Sequence, residues 1–366
     1  MAGVLKIIQE RFQGKRLHVR LKHILPDALA EAECEVSHDI TPDDDELIRW
    51  YLEDYLNYPF DPAHEMAALA ERRIEEIGTD LFRQVFEANQ QASAIWRSIR
   101  STISATRIEI RGVASQNPVF WEVLRDPLNV VPIACAAHTF VHALGDSEED
   151  EGATLQRYSD LRVLMVIARP RGTADIEYRS VAARILSQID CRADIEFEVL
   201  RPPTFEALAK KLRKARALGK PYTVVHFDGH GIYEDPMAKY MANTSGTKRG
   251  YLQFEDPEHA GLADSIDGER FSELILKSEV PIVFLNACRS GKRESSSDMK
   301  EDGKEGALHS FGSFAEELTT AGVGAVVAMR YNLYVDTAKQ FVGGIYEQLA
   351  TGMPLSEAFT VARRDL

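Results

Sequence analysis

Apolar and polar residues alternate over residues 16–25, which predicts a strand with one buried face. The pattern then changes period. Thr41-Pro42-Asp43-Asp44-Asp45-Glu46 places a hydroxyl at a helix N-cap, proline at the first helical position and carboxylates where the helix dipole favours anions. Leu47, Ile48, Tyr51, Leu52, Tyr55 and Leu56 continue at helical spacing. A second helix is expected over about 63–77, stopped by Gly78. A third follows over about 80–100, with Leu81, Phe82, Val85 and Phe86 on its apolar stripe. Strand-like pieces are expected at 107–110 and 132–137, on either side of Phe120-Trp121-Glu122-Val123-Leu124. This mixed α and β region holds no catalytic set. His138 and His142 have helix-like spacing but no third ligand, so a metal is not expected there.

The run Gly145-Asp-Ser-Glu-Glu-Asp-Glu-Gly152 is acidic, bounded by glycines and unable to pack. It marks a boundary near 145–160 and divides the chain into an accessory region, 1–150, and a core, 151–366. After it the texture is different. Residues 161–168 (LRVLMVIA) are nearly all apolar, as in a strand buried on both faces. Four similar runs lie at 195–200, 222–227, 281–285 and 324–329, with helical patterns between them at about 175–190, 203–218, 268–278 and 309–321. That rhythm predicts an α/β fold with a mainly parallel sheet flanked by helices. In such sheets the chemistry lies beyond the carboxyl ends of the strands.

Two strand ends carry candidate chemistry. One reads His226-Phe227-Asp228-Gly229-His230-Gly231, the other Val283-Phe284-Leu285-Asn286-Ala287-Cys288-Arg289-Ser290-Gly291. A cysteine needs a basic partner to act as a thiolate near neutral pH. Parallel neighbours can bring His230 and Cys288 side by side, and the N–H groups of Gly231 and Cys288 would supply a two-donor oxyanion hole. Acyl transfer on a cysteine nucleophile follows from these parts. Either residue alone would more often be structural, a small buried thiol or a satisfied imidazole. His226 and His230 do not complete a metal site, since no nearby Cys or Glu joins them.

The pair HFDGHG and LNACRSG resembles the CHAT family of caspase-like cysteine peptidases, relatives of caspases, separases and metacaspases. The resemblance extends over most of the chain. FWEVLRDP at 120–127 is similar to a family segment in which Phe120 replaces the usual proline. LRVLMVIARPRG at 161–172 and GAVVAMRYNLYVDTAKQFVGGIYEQL at 324–349 are similar to the first and last parts of the family's core. The resemblance implies a caspase-like core with an N-terminal, pseudo-caspase-like α/β accessory region. It also implies a protein substrate, no metal and no organic cofactor. It casts Cys288 as nucleophile, His230 as base and Gly231 as oxyanion donor, with His226 structural. It further implies that Asn286, two residues before the nucleophile, lines the pocket for the side chain preceding the cut. Arg330 resembles a substrate-binding arginine of caspases, and Asp228 could instead supply negative charge, so the preferred residue stays open.

The stretch 291–306, GKRESSSDMKEDGKEG, is almost devoid of apolar residues and reads as a loop. In caspase relatives the matching loop borders the substrate groove, which implies gating by activation. The pattern beginning at Pro354 is still helical at Leu366 without a cap, which leads us to expect a longer parent protein. Peptidases of this kind are commonly fused to or associated with sensor or regulatory domains and serve bacterial defence or cell death. A different class of function, a catalytically idle caspase-like scaffold that binds partners, is separated from the enzyme by the effect of Cys288→Ala.

Composition narrows the picture further. Of 366 residues 45% are hydrophobic, so the chain can bury a large core, and its net charge of −14 argues against direct nucleic-acid binding. Cys34, Cys135, Cys191 and Cys288 are far apart without a CxxC pair, which fits reduced thiols and a cytoplasmic location. No apolar run is long enough for a bilayer, and residues 1–13 do not resemble a signal peptide. The first core strand is followed by Arg169-Pro-Arg-Gly172 and not by a glycine-rich phosphate loop, which counts against a nucleotide fold.

Overall fold

The computed structural model describes residues 3–13, 16–37, 40–58, 60–112, 119–143, 158, 161–170, 195–234, 249–286, 314–328 and 335–366. Two compact units divide the chain. The first takes Met1–Asp150 together with Ser356–Leu366, and the second takes Glu151–Leu355.

The first unit is built on a five-stranded mixed sheet in the order β3-β2-β1-β4-β5. Its strands are β1 (Gly3–Gln13), β2 (Arg16–Leu25), β3 (Ala28–Ser37), β4 (Thr106–Gly112) and β5 (Thr139–Ala143). β1 is antiparallel to β2 and parallel to β4. The alternation of β2 puts Leu17, Val19 and Leu21 on one face with Leu5 and Ile7 of β1 and Ile108 and Ile110 of β4. Helices Ala63–Phe86 and Gln90–Ile99 cover that face with Leu81, Phe82, Val85, Ile95 and Ile99. Phe82, Phe86 and Trp96 meet there at ring-centroid distances of 4.8–5.2 Å. Helix Pro42–Glu53 begins with the cap its sequence predicts: Thr41 and Asp44 satisfy each other's backbone N–H groups in a capping box.

Two local expectations fail here. Gly78 does not stop a helix, because helix Ala63–Phe86 runs through it. The glycine is required by packing: a Cβ at 78 would lie 2.0 Å from the carbonyl oxygen of Val123, and the Arg125 N–H donates to the Gly78 oxygen at 3.1 Å. The helix ends at Phe86, and Asn89 caps the next one by accepting from the Ala92 N–H. Residues 132–137 are not a strand. Pro132 stands at the N-cap of the single turn Ile133–Ala136, and the strand comes later as β5. His138 and His142 accordingly lie just before and within an extended strand, not on a helix, and bind different acids, Glu357 at 3.5 Å and Glu122 at 2.8 Å. Helix Leu355–Arg364 also packs in this unit, where Arg364 donates to the carbonyls of Cys135, Ala136 and Ala137.

The second unit carries an all-parallel sheet, β7-β6-β8-β12-β13. Its strands are β6 (Leu161–Ile167), β7 (Ile195–Val199), β8 (Val224–Asp228), β12 (Ile282–Asn286) and β13 (Ala325–Ala328). All five match apolar runs of the sequence. On one face Leu164, Val166, Val225, Phe227, Val283 and Leu285 pack with helices Phe205–Ala217 and Gly268–Lys277 and with residues 314–320. On the other, His226 and Phe284 meet Tyr346 of helix Val335–Ala350. The helix expected at 175–190 lies outside the described residues. A second, antiparallel sheet of three strands follows β8: β9 (His230–Glu234), β10 (Arg249–Glu255) and β11 (Ala263–Asp267), in the order β11-β10-β9. Phe254 of β10 ties it to the main core through Phe205, Phe227 and Phe271.

Candidate active site

β8 and β12 are adjacent and parallel, with Asp228 directly opposite Asn286. The Gly229 N–H donates to the Asn286 oxygen at 3.1 Å and carries the pairing one residue past β8. On the other side the Ala168 N–H donates to the Asp228 oxygen at 3.0 Å, so β6, β8 and β12 end at one level. Gly229 is needed at this point because a Cβ there would come within 2.6 Å of the Phe227 ring.

His230 and Gly231 open β9, paired with Gln253 and Leu252 of β10, and both are half-buried. The base candidate therefore sits at the junction of two sheets. Asn286 is buried, and its Nδ2 finds no hydrogen-bond partner among the described residues. Cys288 and Arg330 lie outside the described residues, as does the stretch 291–306.

Asp228 is fully buried. Arg169, which follows β6, donates from Nη2 to its carboxylate at 3.0 Å and from Nη1 to its backbone oxygen at 2.8 Å. The same Nη1 donates to the Ala168 oxygen at 2.9 Å. Burial drives the Asp228 carboxyl pKa above its ordinary value, opposed first by Arg169 and then by His230. The place where the strand order reverses, between β6 and β8, is the ligand crevice of many doubly wound sheets. Here the Arg169 guanidinium bridges the two strand ends. The sequence reading missed this role, because the partner stands 59 residues away. A usable signal was present: an arginine closing a fully apolar strand needs a buried acid.

His226, four residues before the base candidate, is fully buried and bonded through Nδ1 to the Tyr346 hydroxyl at 2.9 Å. It stacks on Phe284 at 5.5 Å and 22°. Burial lowers its pKa to about 4, so it is neutral at physiological pH and packs as an aromatic. Among the described residues no group of three or more His, Cys, Asp or Glu could hold a metal ion.

A family model, the CHAT domain, matches residues 84–366, more than half of the chain. The chain belongs to the CHAT family. The matched CHAT region starts inside helix Ala63–Phe86 and takes in the 120–127 segment of the first unit and the whole second unit. Membership sets the chain in a family with a caspase-like context, and the parallel sheet flanked by helices, beside a mixed N-terminal sheet, is the fold that the resemblance implied. In the CHAT segment 120–127, Trp121 donates from Nε1 to Gln9 at 3.1 Å, and buried Asp126 receives Arg100 at 3.0 Å and Trp96 at 3.3 Å. No curated protein matches the chain. No helix of the described residues is long and apolar enough to cross a membrane.

Proposed function

We propose that the chain is a cysteine endopeptidase in which Cys288 is the nucleophile and His230 its acid–base partner. The observation that carries this reading is the register of β8 and β12. Asp228 and Asn286 are directly paired, and each candidate catalytic residue stands two positions beyond its member of the pair. Two peptide units reach at most about 7.6 Å, and tethers that short support assigning both residues to one site.

In the proposed reaction the Cys288 thiolate attacks the scissile carbonyl carbon, and the carbonyl electrons move to oxygen. The N–H groups of Gly231 and Cys288 are assigned to that oxyanion. Collapse of the intermediate breaks the C–N bond, and the amine leaves with a proton from the His230 imidazolium. Water then adds to the thioester, giving up its proton to His230, and releases the acid and the thiolate. A neutral side chain at Asn286 supports a pocket that hydrogen-bonds the residue before the cut without adding charge. The burial of Asp228 against Arg169 supports a role in holding the strand end before His230, more than direct contact with substrate. Arg330 remains assigned to the substrate side of the pocket. The stretch 291–306 is assigned to gating, and a fused or associated sensor to activation in a defence or cell-death response.

The test is mass spectrometry of new protein N-termini in host lysate treated with this chain or with its Cys288→Ala variant. New termini that depend on the cysteine, aligned on a shared preceding residue, are the expected result. Identical termini in both samples, with full-length protein and candidate activators present, would sink the peptidase reading.

A further inference from the structure

We propose that the open face of the N-terminal sheet carries a binding site for a small phosphate-bearing ligand of the pyrophosphate type. The face of β1 and β2 opposite the helices holds a cavity of about 540 Å³. Lys6, Arg20, Lys22 and Arg111 line it with one carboxylate, Asp27, and the remaining lining is apolar. The chain as a whole carries a net charge of −14, so four cations around one cavity run against its composition.

The backbone register forces these charges together. Lys6 of β1 is the direct partner of Lys22 of β2, and Ile8 is the direct partner of both Arg20 and Arg111. Like charges directly opposite on one sheet face destabilise the sheet, so the fold gains nothing from this arrangement. Among the described residues the acids beside it neutralise it only in part. Glu10 pairs with Arg20, and Glu31 pairs with Lys22 at 3.4 Å on the partly exposed rim. Glu109 is a single carboxylate shared by two buried guanidiniums, Arg107 and Arg111, each at 2.7 Å. Lys6, whose partner across β4 is that same Glu109, makes no ion pair or hydrogen bond among the described residues. The Arg20 Nε is buried and also lacks a partner among them.

A surplus of positive charge therefore lines an open-sided cavity, with the Lys6 ammonium and the partly exposed Arg20 guanidinium as its donors. Phosphate oxygens are the natural acceptors for both, since each takes short charge-assisted bonds from Lys and Arg. The volume falls within the ordinary range for a small-molecule site, and the apolar part of the lining would accept an attached organic group.

Calorimetric titration of the full chain with inorganic pyrophosphate at low salt tests the proposal. Saturable one-to-one binding is expected, weakened about tenfold or more by Lys6→Ala and by Lys22→Ala. Arg16→Ala, in the same sheet but outside the cavity, should bind as the parent does. Circular dichroism of each variant separates a lost site from a lost fold. Absence of saturable heat at millimolar pyrophosphate would overturn the site. Undiminished binding by folded Lys6→Ala would overturn its location, and equal affinity for citrate would overturn the phosphate class.

Discussion

Arg169 holds Asp228 twice, by its carboxylate at 3.0 Å and by its backbone oxygen at 2.8 Å. The same side chain fixes the end of β6 through the Ala168 oxygen. One buried guanidinium thus sets two strand ends, one of them two residues before His230.

Removing that guanidinium leaves Asp228 charged, buried and unpaired, so Arg169→Met is expected to cost about 3–5 kcal/mol at neutral pH. Burial already holds the Asp228 pKa above its ordinary value. A raised carboxyl pKa means that the folded state keeps its proton to higher pH, so stability falls as pH rises above the unfolded value near 4. The variant should therefore lose less stability in acid than at pH 7. Pairing it with Asp228→Asn should recover most of the loss. Urea denaturation at the two pH values measures both effects, and a pH-independent deficit would refute the assignment.

His226 makes a prediction of opposite sign. Its folded pKa of about 4 lies below the ordinary imidazole value of about 6.5, so on acidification the unfolded chain takes up a proton that the folded chain refuses. Stability contributed by neutral His226 is whole above about pH 6.5 and declines as pH falls towards 4, by about 3 kcal/mol in all. In His226→Gln this part of the acid slope should vanish. The slope of unfolding free energy between those pH values is the readout, and an unchanged slope would refute the burial argument.

Gly78→Ala tests a packing argument against a propensity. In an exposed helix interior alanine is better than glycine by about 1 kcal/mol. At Gly78 the new Cβ would have to displace the Val123 carbonyl, 2.0 Å away. The substitution should lower the thermal midpoint, with a cost of about 1–3 kcal/mol as for other overpacked sites. A rise in the midpoint would show that the segment after Trp121 gives way freely.

The thiols should separate by reactivity. Burial pushes the Cys34 pKa up to about 12, so iodoacetamide should leave it unmodified in the native protein at pH 7–9. Cys288, if activated as proposed, should alkylate below pH 7 and slow by about tenfold or more in His230→Ala. Peptide mapping after timed alkylation reads both rates together. Equal rates for Cys288 in the two proteins would remove His230 from its assigned role.

The sequence and the fold agree best where burial is two-sided. β6, β8 and β12 announce themselves because almost every position is apolar, and Thr41 announces its helix because capping is a local matter. Agreement fails where the deciding atoms are distant in the chain. Gly78 has the outward form of a helix stop, and only the approach of Val123 explains it. β3 escapes notice because its first four residues are exposed and its buried ones include small Ala32 and Cys34. The sheet β11-β10-β9 was not anticipated either, since its strands are short and β9 begins within the His-Gly motif itself. Of the candidate site, the strand-end positions of His230 and Asp228 were legible, whereas the burial of Asp228 against Arg169 needed the distant partner in view.

Helix Leu355–Arg364 packs among residues of the first unit, binding through Arg364 to the carbonyls that close the turn Ile133–Ala136. On the ribosome the order of events is fixed by this connectivity. The N-terminal sheet precedes the parallel sheet in the chain, yet a helix of its own unit is translated only after every strand of the parallel sheet. Until then Ala358 and Ala362 are not available to fill their places, and the unit begun before the parallel sheet is completed only after it.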